Sequence, residues 1–224
     1  MKHDVSYEKK TAYFEDGKIK IINLESKEIY QIKFKKPIIS FHINENCYII
    51  AQNSEKKFGI ISLSGKVISP FAYKCIEDIG DKVIFWETDN VCFISDLING
   101  KQSLHNYEDI GINGFGKYKI YDCKRNGKYD ILNDKLICIA EKLDKFIYCF
   151  SNNFIGIKDK KIEIYSSDGS KINEIKEDGT LLDSVTFIYD RAIHHEAYVL
   201  SFIGGKKIVF DANSNCEILR DNFD

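Results

Sequence analysis

The chain has 224 residues, 32 of them Lys or Arg and 34 Asp or Glu, for a formal net charge of −2. That balance argues against nucleic acid as a partner, because phosphate binding needs a basic surplus or a concentrated basic face. Isoleucine outnumbers leucine 36 to 11 and there are 13 Tyr and 15 Phe, so the apolar set is β-branched and aromatic, and no window sustains the 3,4-spaced stripe of an amphipathic helix.

In chain order, the first hairpin is Lys18 to Tyr30 (KIKIINLESKEIY), turning at Leu24 to Lys27. The second is the clearest: in Lys56 to Ile79, Phe58, Ile60 and Ile61 lead into a turn at Ser62-Leu63-Ser64-Gly65. Val67 and Ile68 return, and Pro70, which has no N–H to donate, is expected to end the strand. Val91 to Leu104 turns at Ile98 to Gly100, Lys128 to Ile139 at Asn133-Asp134, Lys161 to Glu174 at Asp168-Gly169, and Lys206 to Leu219 at Asn213 to Asn215. Between them lie further strand-like runs: Cys47 to Ala51, Val83 to Trp86, Lys117 to Tyr121, Phe146 to Phe150, Val185 to Ile188 and Tyr198 to Ile203. Intervals of roughly 33 to 45 residues suit a blade repeat. The expected fold is all-β, with about six degenerate β-hairpin repeats in one domain, residues 1–224. It is propeller-like, with paired antiparallel sheets or an open barrel as the alternative.

Seven cysteines, an odd number without CxxC spacing, imply free thiols in a reducing compartment. Cys47, Cys75, Cys92, Cys138 and Cys149 sit in apolar strands, and Cys123 and Cys216 nearer turns. The polar N-terminus lacks the apolar core of a signal peptide, and no apolar run approaches bilayer length, so a cytoplasmic chain without membrane association is expected. Short lysine pairs (Lys9-Lys10, Lys35-Lys36, Lys160-Lys161) read as solvated faces and edge protection.

Catalytic constellations are sparse. His194 and His195 would point to opposite faces of a strand, and His3, His42 and His105 stand apart, so neither a metal site nor a cofactor is expected. Gly111, Gly114 and Gly116 have the wrong spacing for a phosphate loop and precede a strand, so they read as a turn. Carboxylates such as Asp16, Glu77-Asp78 or Glu108-Asp109 could serve glycoside hydrolysis only if the fold paired them at the right separation. The remaining feature is an acidic surface: Glu77, Asp78 and Asp81, then Glu87 and Asp89 flanking the sole tryptophan, Trp86, then Glu108 and Asp109. A second set is Glu177, Asp178, Asp183, Asp190 and Glu196. An aromatic amid carboxylates suits a protein interface, with Trp86 as anchor if its ring is exposed and as core if it is not.

Phe58-Gly59-Ile60-Ile61, Gly65-Lys66-Val67-Ile68, Pro70, Tyr73 and Ile76 resemble one unit of the bacterial WG-containing repeat, with Phe58 where the family often has tryptophan or tyrosine. Asp130 and Glu163 replace the family glycine in later units. The resemblance implies stacked hairpins and a role in protein interaction, and brings no catalytic residues. In profile the chain is also similar to immunity proteins of polymorphic-toxin and contact-dependent inhibition systems. That likeness implies a partner-covering inhibitor of a basic, nuclease-type toxin domain. The alternatives are a carbohydrate-active hydrolase or a plain scaffold module.

Overall fold

The structure is a computed structural model that describes residues 10–16, 18–32, 34, 36–44, 48–114, 119–149, 153–190, 195–211 and 217–221, with the backbone alone at 14, 30, 189–190, 195–196 and 217–221. The described chain forms six antiparallel sheets in which strand order follows chain order. The first holds β1 (Lys10–Glu15), β2 (Lys18–Asn23) and β3 (Ile29–Ile32), and the second β4 (Ile38–Ile43), β5 (Tyr48–Asn53), β6 (Phe58–Ser62) and β7 (Val67–Tyr73). The third holds β8 (Cys75–Asp78), β9 (Val83–Thr88), β10 (Val91–Asp96) and β11 (Lys101–Gln102). The fourth holds β12 (Asp109–Asn113), β13 (Ile120–Arg125), β14 (Lys128–Asn133) and β15 (Cys138–Leu143). The fifth holds β16 (Lys145–Cys149), β17 (Asn153–Lys158), β18 (Lys161–Ser166) and β19 (Lys171–Ile175). The sixth holds β20 (Leu182–Asp190), β21 (His195–Phe202), β22 (Lys207–Asp211) and β23 (Glu217–Asp221). A four-stranded meander repeated in series is the sheet pattern of propeller blades, so the fold is all-β and propeller-like at the level of the single sheet. The only helical element among the described residues is a 3-10 turn at Gly179–Leu181.

The six sequence hairpins are the last two strands of the six sheets, and their leading strands begin at Lys18, Phe58, Val91, Lys128, Lys161 and Lys207. The turns close by a shared device. Gly65 and Gly169 donate N–H to the carbonyls of Ser62 and Ser166, and the strands resume through Ser62 N–H to Lys66 O and Ser166 N–H to Ser170 O. Both glycines have positive φ, 84° and 95°, the left-handed residue that a three-residue hairpin loop requires. Leu136 holds the equivalent place in the fourth sheet at φ 58°, accepting strain that glycine avoids. In the first five sheets the residue that ends the leading strand also caps the turn: Asn23, Asp96 and Asn133 each accept two backbone N–H groups through Oδ1, and Ser62 and Ser166 accept one through Oγ.

The contacts divide the chain into two compact units, 1–108 and 109–224. Strand side chains alternate between faces, so neighbours such as Ile49 and Ile50 serve two cores. In the first unit, Ile19, Ile21 and Ile32 meet Ile38, Ile49, Ala51 and Ile61 between sheets one and two. On the far side of sheet two, Ile50 and Ile60 meet Ile76, Val83 and Phe85 of sheet three. In the second unit, Ile120, Ile131 and Leu143 pack against Phe154, while Ile155, Ile157, Ile162 and Ile164 on the other face of sheet five meet Tyr198, Leu200 and Ile208. Each such isoleucine contributes about 1.5–3 kcal/mol, which explains why central strands read as unbroken apolar runs.

Three sequence expectations need correction. β7 runs through Pro70 to Tyr73, because β7 has only β6 beside it and an outer strand can place a residue without an N–H off the ladder. The pairing skips there: Phe58 faces Tyr73 and Ile60 faces Ser69, so two extra residues bulge from β7. Cys123 lies fully buried inside β13, whereas Cys138, at the start of β15, is exposed. Of the run expected over Lys117 to Tyr121, Lys117 and Tyr118 lie outside the described residues, Lys119 is not in a strand, and β13 begins at Ile120. Cys47, Cys216 and the Asn213 to Asn215 turn lie outside the described residues.

Candidate functional site

The acidic residues flanking Trp86 are near in sequence but divided by the third sheet. Glu77 and Asp78 end β8, Asp81 follows in the β8–β9 turn, Glu87 lies near the end of β9 and Asp89 is in the β9–β10 turn. The six residues of β9 therefore separate the two groups by roughly 17 Å, at about 3.3 Å per residue. Asp81 pairs with the buried Lys82, Asp89 pairs with Lys74, and Asp78 Oδ2 lies 3.9 Å from His42 Nε2. Glu77 and Glu87 are exposed. Trp86 is half-buried opposite Cys75 and Cys92, and its Nε1 is buried with no hydrogen-bond partner among the described residues. Glu108 closes the first unit and Asp109 opens the second.

In the second acidic set, Asp178 caps the 3-10 turn by accepting from Thr180 N at 2.9 Å, Glu177 accepts from Lys206 Nζ at 2.5 Å, and Asp183 is exposed. The side chains of Asp190 and Glu196 lie outside the described residues, as do His3, His194, Gly116 and the side chain of His195. Among the described residues no group of three or more His, Cys, Asp or Glu could hold a metal ion. The five described cysteines are free thiols, and burial pushes Cys149 up to about 12. No helix among the described residues is long and apolar enough to cross a membrane.

Two arrangements were not legible beforehand. On the fourth sheet, Asp122 of β13 faces Gly111 of β12, and a Cβ on Gly111 would lie 2.3 Å from Asp122 Oδ1. The carboxylate fills the room that glycine leaves and accepts from Asn113 Nδ2 at 2.5 Å. Burial, reinforced by Asp109 on the same face, pushes its carboxyl up to about 6 against the pull of its backbone and Asn113 hydrogen bonds. A glycine in a strand, followed two residues on by a polar residue, was the available signal. Nearby in β14, Asp130 is buried, bonded to Arg125 Nη2 at 2.8 Å and to the N–H of Lys142 at 3.0 Å. It stands where the second sheet has Gly59, whose Cα lies against the Phe71 ring.

The second arrangement is a cleft of about 520 Å³ in the first unit, lined by Phe34, Ile38, Val67, Pro70 and Phe71 with Lys36, Asn53 and Glu55. Phe34 and Phe71 meet edge to face at 5.8 Å, and Lys36 pairs with Glu55 across the rim. It draws on three separated segments; the sequence marked Val67 and Pro70 as part of a hairpin and Lys36 as edge protection, but nothing that brought them together.

No family model matches the chain, and no curated protein does. Among solved structures it is similar to the C-terminal WD40 domain of Sif2, at 14% identity and TM-score 0.33 over 92% of this chain and 64% of that one. It is also similar to a chain of the mitotic checkpoint complex, at 11% identity and TM-score 0.33 over 94% of this chain and 76% of that one. A third is the computationally designed Ika8 protein, at 8% identity and TM-score 0.32 over 94% and 85%. The chain thus spans 64% of the Sif2 domain's length.

Proposed function

We propose that this chain is a protein-binding domain that works by stoichiometric occlusion, as an immunity protein covers a basic, nuclease-type toxin domain. One observation carries the reading. The third sheet, Cys75 to Gln102, holds six acidic and two basic residues, a net −4 in a chain whose total is −2, and Glu77 and Glu87 are exposed on it. A concentrated negative sheet speeds encounter with a positive partner and sets which partners it rejects. The WG-repeat resemblance around Phe58 to Ile76 supports an interaction role, and the free thiols suit a reducing compartment such as the cytoplasm.

The test is capture of partners from cells by the intact chain, followed by association kinetics for wild type and Glu77→Lys/Glu87→Lys. The expected result is a basic partner whose association slows at least tenfold in the variant and loses part of its salt dependence. Unchanged rates would remove this sheet from the interface. A second reading, carboxylate-assisted hydrolysis, is favoured only by the raised Asp122 carboxyl with Asp109 on the same face. Chromogenic glycoside turnover abolished in Asp122→Asn would establish it.

A further inference from the structure

The cleft in the first unit holds a feature that apolar packing does not require. Asn53 is only 5% exposed. Its Oδ1 accepts the N–H groups of Glu55 and Lys57, each at 3.0 Å. Those two bonds fix which way the amide lies and leave Nδ2, a donor with no partner among the described residues, in the side chain that lines the cleft. An amide donor that opens only into a largely apolar cleft is available to whatever acceptor enters it. The surrounding walls are Phe34, Ile38, Val67, Pro70 and Phe71, and a volume of about 520 Å³ lies within the usual range for a ligand pocket.

The chemistry of the missing acceptor follows from the rim. Lys36 is already paired with Glu55, so the cleft offers no spare positive charge to a carboxylate and suits a neutral carbonyl. Its mouth lies along β7, where Val67 and Ile68 are 50% and 38% exposed. Pro70 and the β7 bulge interrupt the ladder there, so an incoming chain cannot simply extend the sheet as a further strand. An extended peptide crossing this edge would instead insert a side chain.

We propose that the cleft receives a peptide segment of a protein partner, with one aromatic or aliphatic side chain seated against the Phe34–Phe71 pair and one backbone carbonyl accepting from Asn53 Nδ2. This rests on the reading of the chain as a protein-binding domain, and gives it a second contact point distinct from the acidic third sheet.

The test uses the full ¹⁵N-labelled chain titrated with N-acetyl-phenylalanine amide and N-acetyl-leucine amide, with toluene as a probe lacking a carbonyl. The amides should shift the Asn53 side-chain NH₂ resonances together with the backbone signals of Val67 and Phe71. Asn53→Asp keeps the oxygen that caps the turn and removes the donor, so it should leave the spectrum's dispersion intact and weaken amide binding at least tenfold. Val67→Glu, at an exposed position, should close the mouth without unfolding the chain. No shift at millimolar amide, or toluene binding as tightly as the amides, would overturn the proposal. Cleft shifts without any captured protein would overturn the peptide assignment, whereas a captured protein that ignores Asn53→Asp and Val67→Glu would leave the protein-binding reading standing and remove the cleft from it.

Discussion

Asp122 gives the sharpest test of the energetics. Its carboxyl titrates near 6 in the folded chain against 3.8 for a free aspartate. The difference of about two pH units corresponds to roughly 3 kcal/mol at about 1.4 kcal/mol per unit, reduced to about 2 kcal/mol because the group retains solvent contact that screens it. Between pH 3.8 and about 6 the folded chain holds a proton that the unfolded chain has released. Stability therefore falls as pH rises through this window, and the penalty is complete above it. Asp122→Asn keeps an oxygen for Asn113 and removes the titration. The variant should be more stable than wild type by about 2 kcal/mol at pH 7.5, with the gain vanishing near pH 3.5. Urea denaturation followed by circular dichroism would read this as a midpoint shift of about 1 M or a little less at neutral pH, for a urea slope of about 2–3 kcal/mol per molar. Comparing variant with wild type cancels the other carboxylates, several of which, including Asp144 and Asp178, are shifted the opposite way. Stability curves that run parallel from pH 4 to 8 would refute the reasoning, because they would mean that Asp122 titrates as a solvated acid.

Asp130→Ala should destabilise the chain by about 3 kcal/mol in the same assay, since it strands Arg125 beside a buried site and leaves the N–H of Lys142 unmet. Gly59→Ala should cost about 1–3 kcal/mol, because the new Cβ would lie 2.9 Å from Phe71 Cγ and 3.0 Å from its backbone nitrogen. In thiol labelling of the native chain at pH 8 with mass-spectrometric readout, Cys138, exposed at the start of β15 although partial burial also raises its thiol, should react before Cys149, which deeper burial pushes up to about 12. Equal rates at the two positions would contradict their assigned environments.

The hairpins were legible because their signals are local: alternating isoleucines, a glycine or asparagine in the turn, and strands short enough to read by eye. The opening strands of several sheets were not. β8, CIED, and β12, DIGIN, carry few apolar residues, and each pairs with one neighbour at the margin of its sheet, so little of the two-sided apolar pattern is imposed on them. A further periodic mark went unread: Asn23, Ser62, Asp96, Asn133 and Ser166 occupy the same final position of their strands. Their role as turn caps emerges only once the backbone N–H groups they receive are in place. The spacing of the acidic surface was hidden for the converse reason. Residues 77 to 89 are close in sequence, but a hairpin carries its two turns to opposite ends of a strand. Asp122 owes its character to residues of a neighbouring strand, and the Asn53 amide, though fixed by Glu55 and Lys57, meets the cleft only through Phe34, Ile38 and Phe71, which lie elsewhere in the sequence.

The meander connectivity also governs how the molecule is reached from the unfolded chain. Within each sheet every strand hydrogen-bonds to its neighbours in sequence, and the turns carry their own caps, so a hairpin can close across a few residues before any sheet-to-sheet packing exists. Mean sequence separation between paired residues is low for an all-β chain, and folding rate rises as that separation falls. Refolding should accordingly sit toward the fast end of the millisecond-to-second range typical of β proteins. Substitutions in the turn caps should slow it more than substitutions in the cores between sheets, a difference that stopped-flow refolding of Asn133→Ala and Ile155→Val would read.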